Sequence, residues 1–282
     1  MKKYKFLFLL FTILCIQNMF AQERNIIYQK LDTLIFHRYI QSVGPKKQSS
    51  IGDLMIQTAV FLMDSPYVPK TLEVTGKNEK LVVNLRQFDC STLVENCLAL
   101  VHTLKSKDQS FDTFCSELKT IRYRNGNLTD FSSRLHYFTE WISNNETKGK
   151  VINLTKAFGG NPLPLKLDFM TRKADLYPQM SNPSVFSELK TVEQNISQRN
   201  NFYIPKSSPV SAKIRNGDIL CLTTNVQGLD ISHVGIAFKL GNELYFLHAS
   251  QTDQKVEISS EPFIKYIARL NRVTGYMVVR PL

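Results

Sequence analysis

Between residues 25 and 145 apolar positions recur every three or four residues in separate blocks, the spacing that turns one face of a helix toward a core. "NIIYQKLDTLIFHRYI" (25–40) and "SIGDLMIQTAVFLM" (50–63) are the first two blocks, and Ser50 stands where a hydroxyl caps the second. "SPYVPKTLE" interrupts the pattern with two prolines, and "EKLVVNL" reads as a short strand. "CSTLVENCLALVHTL" then sets Leu93, Val94, Cys97, Leu98 and Val101 on one stripe, which predicts a buried helix beginning near Cys90. "FDTFCSELKTIRY" and "SSRLHYFTEWISNN" predict two more helices, the second with Tyr137, Phe138 and Trp141 in the core. Residues 144–212 hold most of the prolines and keep no clean period.

The period changes after Lys213. "GDILCLTT", "HVGIAFKL", "ELYFLHAS" and "GYMVVRPL" are short apolar runs separated by turn residues, the pattern of antiparallel strands, with a Gly-Asn hairpin signal in "KLGNELYF". Helices followed by strands predict an α+β domain and argue against a doubly wound sheet.

The start, "MKKYKFLFLLFTILCIQNMFAQ", changes where such a domain is expected to work. A short basic segment, an apolar run from Phe6 to Ile16 and the small Ala21 make residues 1–21 a secretory signal, too short to span a bilayer. Cys15 suggests a lipoprotein, but Leu14 stands where lipid attachment wants a small residue. No other run is apolar enough to cross a membrane, so the expectation is an exported protein, periplasmic or secreted, with no stable membrane insertion. Loss of Lys2, Lys3 and Lys5 with the signal lowers the formal charge from +11 to +8. The remaining cations are scattered, which suits a solvated surface as well as an acidic partner. No nucleic-acid motif, zinc-type cysteine pair or phosphate-cradling loop is present in the sequence. Cys97, Cys115 and Cys221 are each flanked by apolar residues and are expected as buried free thiols.

Cys90 is different, because it sits where "LRQFDCSTLVENC" turns from a polar loop into an apolar helix. Two readings stand from position alone: a buried small residue, or a thiol activated by the positive end of the helix, whose free N–H groups also suit an oxyanion. The stretch "DISHVGIAFKLGNELYFLHAS" bears on the choice. His233 opens one predicted strand and His248 closes the next, fifteen residues later, so the hairpin brings both imidazoles to one end of the sheet. One histidine can take the thiol proton while the other orients it. Two close histidines also suit a metal, but no carboxylate or third histidine stands at ligand spacing nearby. His37, His102 and His136 lie in helical sequence.

The order "SPYV", "FDCSTLVE", "GDIL", "HVGIAF" and "HAS" resembles the NlpC-type papain-like cysteine hydrolases of bacterial cell walls. "FDCSTLVENCLAL", "IRYRNG", "SRLHYFTEWI", "NGDIL", "LDISHVGIA" and "LHAS" resemble their N-acetylmuramoyl-L-alanine amidase-like branch, from about residue 50 to the C-terminus. The resemblance implies a papain-like core, with the nucleophile helix packed on a C-terminal antiparallel sheet, and a single catalytic domain over 22–282. It makes Cys90 the nucleophile, His233 the general base and His248 the residue that orients it. Tyr67 matches the tyrosine of the "PYV" segment, which related sequences commonly precede with glycine where this chain reads "MDSPYV". Asp89, Ser91 and Asp230 stand at substrate-contact positions, Asp230 reading equally as a turn residue. The segment between Cys90 and His233 is longer than such an enzyme requires, so residues 105–212 are expected as a mostly helical and irregular insertion walling the cleft. Within it Arg122 and Arg134 suit stem-peptide carboxylates, while Tyr123 and His136 suit sugar or peptide. Either arginine equally suits a structural acid. The implied activity is hydrolysis of an amide in peptidoglycan or muropeptides without a cofactor, the bond being that between the lactyl group and L-alanine or one within the stem peptide, such as D-glutamyl to a diamino acid. An inactive wall-binding module is the reading of another class.

Overall fold

The computed structural model describes residues 25–73 and 78–282, so the signal expected over 1–21 lies outside the described residues. Helices come first: β1 (Ile26–Ile27), α1 (Lys30–Val43), α2 (Ile51–Phe61), β2 (Leu81–Val82), α3 (Cys90–Lys105), α4 (Phe111–Arg122) and α5 (Phe138–Thr147). There follow β3 (Val151–Asn153), β4 (Asn161–Leu163), α6 (Pro183–Ser197) and β5 (Asn201–Pro205), then β6 (Ile219–Thr224), β7 (Ile231–Leu240), β8 (Glu243–Ser250), β9 (Lys255–Ile258), α7 (Phe263–Ala268) and β10 (Val273–Pro281). The fold is mixed α/β around one antiparallel sheet, ordered β4-β5-β10-β6-β7-β8-β9, with β3 also paired to β10. No helix among the described residues is long and apolar enough to cross a membrane.

α3 is the axis of the main core and lies on β7 and β8. Leu93, Val94, Cys97, Leu98 and Val101 are buried as the stripe predicts, but so are Ala99, Leu100 and Leu104. The helix is apolar nearly all round because α2 and α4 close on the sides that the sheet leaves open. Alternation along the strands sends Val234, Ile236, Leu247 and Ala249 to that core. It sends Leu222, Ala237 and Phe246 to a second core on the opposite face of the sheet, shared with Phe263 and Ile267 of α7. Cys97, Cys115 and Cys221 are buried and Cys90 is half-buried.

Most predicted elements form where the pattern put them, and Ser50 caps α2 through the Asp53 N–H at 3.1 Å. Three stretches differ. The first helix begins at Lys30, because Ile26 and Ile27 pair with Leu81 and Val82 in a parallel ladder. The helix expected from Ser132 begins at Phe138; a single 3-10 turn covers Phe131–Ser133, and then Arg134 bridges to Tyr123 in extended backbone and Leu135 N–H donates to Arg122 O, which breaks the stretch off from the helix. Residues 144–212 are not only irregular: β3 and β5 both join β10, and α6 is capped by Asn182 with Pro183 in its first turn. In "MDSPYV", Asp64 adopts φ +59°, the left-handed conformation that glycine favours, and its N–H donates to Val256 O. That turn lays Tyr67 beside Phe88, two residues before Cys90.

Candidate active site

Cys90 is the first residue of α3, held by a capping box: Asp89 accepts from Thr92 N–H at 2.8 Å and the Asp89 N–H donates to the Thr92 hydroxyl at 2.9 Å. The Ser91 N–H, a first-turn donor that no helix can satisfy internally, lies within hydrogen-bond reach of the sulfur. The Cys90 sulfur also lies within hydrogen-bond reach of the Val234 N–H, on the strand that carries His233. Cys90 and His233 line one cavity of about 80 Å³ together with Ser91, Glu95, Leu135, His136, Phe138, Trp141, Asp230 and Ser232.

His233 and His248 stand diagonally across the β7–β8 ladder, with His233 Nε2 and His248 Nδ1 2.8 Å apart and the rings perpendicular. Gly235 makes this possible, because a Cβ there would come within 2.8 Å of the His248 Cβ. His248 is buried, stacked on Phe246 and flanked by Tyr266 at 5.3 Å. With His233 Nε2 held by His248, the nitrogen left to act as base is His233 Nδ1.

Burial sets the charge state. It pushes the Cys90 thiol up to about 11, helped by the Asp89 carboxylate; the Val234 N–H and Ser91 pull the other way without prevailing. Burial lowers His233 to about 3, with His248 adding to the effect, and lowers His248 to about 4. The resting pair is therefore a neutral thiol and a neutral imidazole. Desolvation is thus the largest influence on both groups, and it works against the thiolate that a helix start favours.

Burial likewise lowers His136 to about 3 and His102 to about 4. A histidine with a depressed folded value binds fewer protons folded than unfolded below pH 6.5. Stability is therefore complete above about pH 7 and is expected to fall as pH drops below the ordinary histidine value. Each of these four groups contributes up to about 1.4 kcal/mol per pH unit. Burial raises Asp230, which opposes the trend. Melting curves across pH 4–8 check this; a melting temperature flat down to pH 5 would contradict the neutral histidines.

Of the proposed substrate residues, Ser91, His136 and Asp230 line the cavity. Tyr67 lies close enough for its phenolate and the Cys90 thiolate to repel. Four others are engaged within the protein. Asp89 spends one carboxylate oxygen, Oδ1, on the helix cap. Arg122 is buried and donates to Glu95 at 2.7 Å and Val82 O at 2.6 Å. Arg134 makes a two-pronged contact with Glu79 and a third bond to Glu73, and the Tyr123 hydroxyl donates to Glu79 at 2.9 Å. These are structural ion clusters, the alternative that the sequence had left open for the arginines. Conversely, Phe138 and Trp141 are both core and cavity wall, stacked at 4.7 Å, and Glu95 faces the cavity from the second turn of α3. Glu95 and Tyr266 gave no signal in the sequence beyond their distance from Cys90 and His248.

A family model described as AmiA-like, N-acetylmuramoyl-L-alanine amidase-like, matches residues 57–273. The chain belongs to this family. It is 37% identical to a Bacteroides uniformis structure named an N-acetylmuramoyl-L-alanine amidase, with TM-score 0.79 over 83% of this chain and 99% of that one. A Bacteroides fragilis structure bearing a provisional xylanase name is 33% identical, with TM-score 0.76 over 79% of this chain and 99% of that one. A Legionella pneumophila protein, LPG0564, shares the fold at 22% identity and TM-score 0.65 over 89% of this chain and 93% of that one. No protein of curated function matches significantly.

Proposed function

We propose that this amidase-like chain is a cysteine-dependent amide hydrolase with an NlpC-type papain-like core, exported to the cell envelope, that cleaves peptidoglycan or muropeptides between the lactyl group and L-alanine. The observation that carries the reading is one cavity shared by a cysteine at a helix start and a histidine whose far nitrogen is held by a second histidine. The cavity's carboxylates argue against paired-acid chemistry of the glycosidase type: Glu95 is tied to Arg122, and Asp230 accepts from the Thr139 N–H and hydroxyl, each at 2.7 Å.

The chemistry follows from the resting protonation. As substrate closes the cavity, the Cys90 sulfur attacks the carbonyl carbon while His233 Nδ1 takes the thiol proton, so thiolate forms only during attack. The imidazolium keeps its Nε2–H on His248. First-turn N–H groups of α3 hold the oxyanion. The C–N bond then breaks as His233 passes its proton to the leaving amine nitrogen. Water, deprotonated by His233, attacks the thioester and frees the carboxylic acid and the thiol.

The reading is tested by incubating the protein with purified muropeptides and weighing the products. Release of an intact stem peptide with a free L-alanine amine and a free lactyl carboxylate is expected. A split stem peptide would replace the assignment by an endopeptidase, and no turnover would leave a wall-binding module. Because His233 is already neutral, the acid limb of kcat/KM should lie well below pH 6.5, where unfolding rather than loss of the base ends activity.

A further inference from the structure

A cavity larger than the one at the sulfur lies elsewhere on the molecule. About 530 Å³, within the range of small-molecule sites, opens at the other end of β7, lined by Phe158, Lys213, Arg215, Asn216, Lys239 and Arg280 among others. His233 and Lys239 lie on the same face of β7, six residues or about 20 Å apart. The catalytic cavity, at about 80 Å³, holds only the atoms around a scissile bond.

Three features make the larger cavity a built anion site. Its lining contains four cations and no carboxylate. Buried Asp218, on the same loop, is spent: it accepts Arg280 Nε and Nη2 at 2.8 Å each and the Arg215 N–H at 2.8 Å. Lys213, Arg215 and Lys239 have no carboxylate partner among the described residues. The loop presenting them is also rigid. Gly217, at φ +82°, packs so closely that a Cβ would meet Gly52 O at 2.2 Å; Asn216 Oδ1 accepts the Lys239 N–H at 2.6 Å; and Lys239 Nζ reaches Ala212 O at 3.4 Å. Cations on a pinned loop need little ordering when a ligand arrives. Phe158, under the Arg280 guanidinium, gives an apolar floor.

We propose that this pocket is an exosite for a carboxylate-bearing peptide segment of the same polymer whose amide the Cys90 cavity cuts, so that the enzyme favours polymeric over small soluble substrate. The choice of polymer rests on the proposed function; the preference for a multiply charged carboxylate ligand does not. An extended peptide spans about 3.3 Å per residue, so a segment of about four or five residues reaches roughly 13–17 Å and can lay its carboxylates across a cavity of this size.

The test separates the two readings by measuring binding without turnover. In a Cys90→Ser background, cosedimentation with purified sacculi is expected to be weakened by salt, and Lys213→Ser/Arg215→Ser/Lys239→Ser together should lower affinity at least tenfold and flatten the salt dependence. With Cys90 intact and an unchanged melting temperature, the same triple change should leave kcat/KM on a soluble monomeric muropeptide within twofold. Failure of the parent to bind sacculi, equal binding by the triple variant, or a parallel loss on the soluble muropeptide overturns the exosite. If the parent cleaves no muropeptide, the proposed hydrolysis fails, while the binding comparison still decides the exosite.

Discussion

Replacing Cys90 by alanine is expected to lower muropeptide kcat/KM by at least about a thousandfold, with the melting temperature changed by no more than about 2 °C. The side chain is small and part-buried at the mouth of the cavity, and the cap that starts α3 belongs to Asp89 and Thr92, so its removal deletes chemistry without opening the core. His233→Ala should cost a similar factor. The double variant should be little worse than either single one, because a nucleophile and its base act as one unit. Residual activity above a tenth in Cys90→Ala would remove the thiol mechanism. Additive losses would mean that Cys90 and His233 do not act in one step.

The second large effect is on folding. Arg134→Ala withdraws the partner from Glu79, whose side chain is only 5% exposed, and from Glu73. An uncompensated buried carboxylate costs about 3–5 kcal/mol, which lowers the melting temperature by on the order of 10 °C in a chain of this size. Joint replacement of Arg134 and Glu79 by methionine should recover most of the loss, since it removes both buried charges. Activity per folded molecule should persist in both variants. An Arg134→Ala protein that melts like the parent but shows a raised KM would return this arginine to the substrate site.

The contrast between Cys90 and Arg134 shows what could be read along the chain. Cys90 was legible because its situation is local. A polar N-cap, a small residue and an apolar stripe lie within a dozen positions, and caps and helical periods are set by near neighbours. The histidine pair was legible for the same reason, since one hairpin with a Gly-Asn turn fixes how His233 and His248 meet. Arg122 and Arg134 were ambiguous because their partners, Glu95 and Glu79, lie 27 and 55 residues away. A guanidinium in a sequence looks alike whether it awaits a substrate carboxylate or already holds a structural one. The stretch 134–137 followed: its apolar spacing is helical, but the buried fork of Arg134 and the bond from Leu135 to Arg122 hold it out of the helix.

By itself the sequence determined the helix-then-strand order, the cap of α2, and the meeting of the two imidazoles across one hairpin, all consequences of contacts between residues close along the chain. Only the tertiary structure decided that Cys90 shares a cavity with His233 and that burial there works against charge on both, that two candidate arginines are structural, and that four cations gather at the far end of β7. Desolvation, ion pairing and charge clustering depend on which distant segments exclude water from a group, and no local spacing records that.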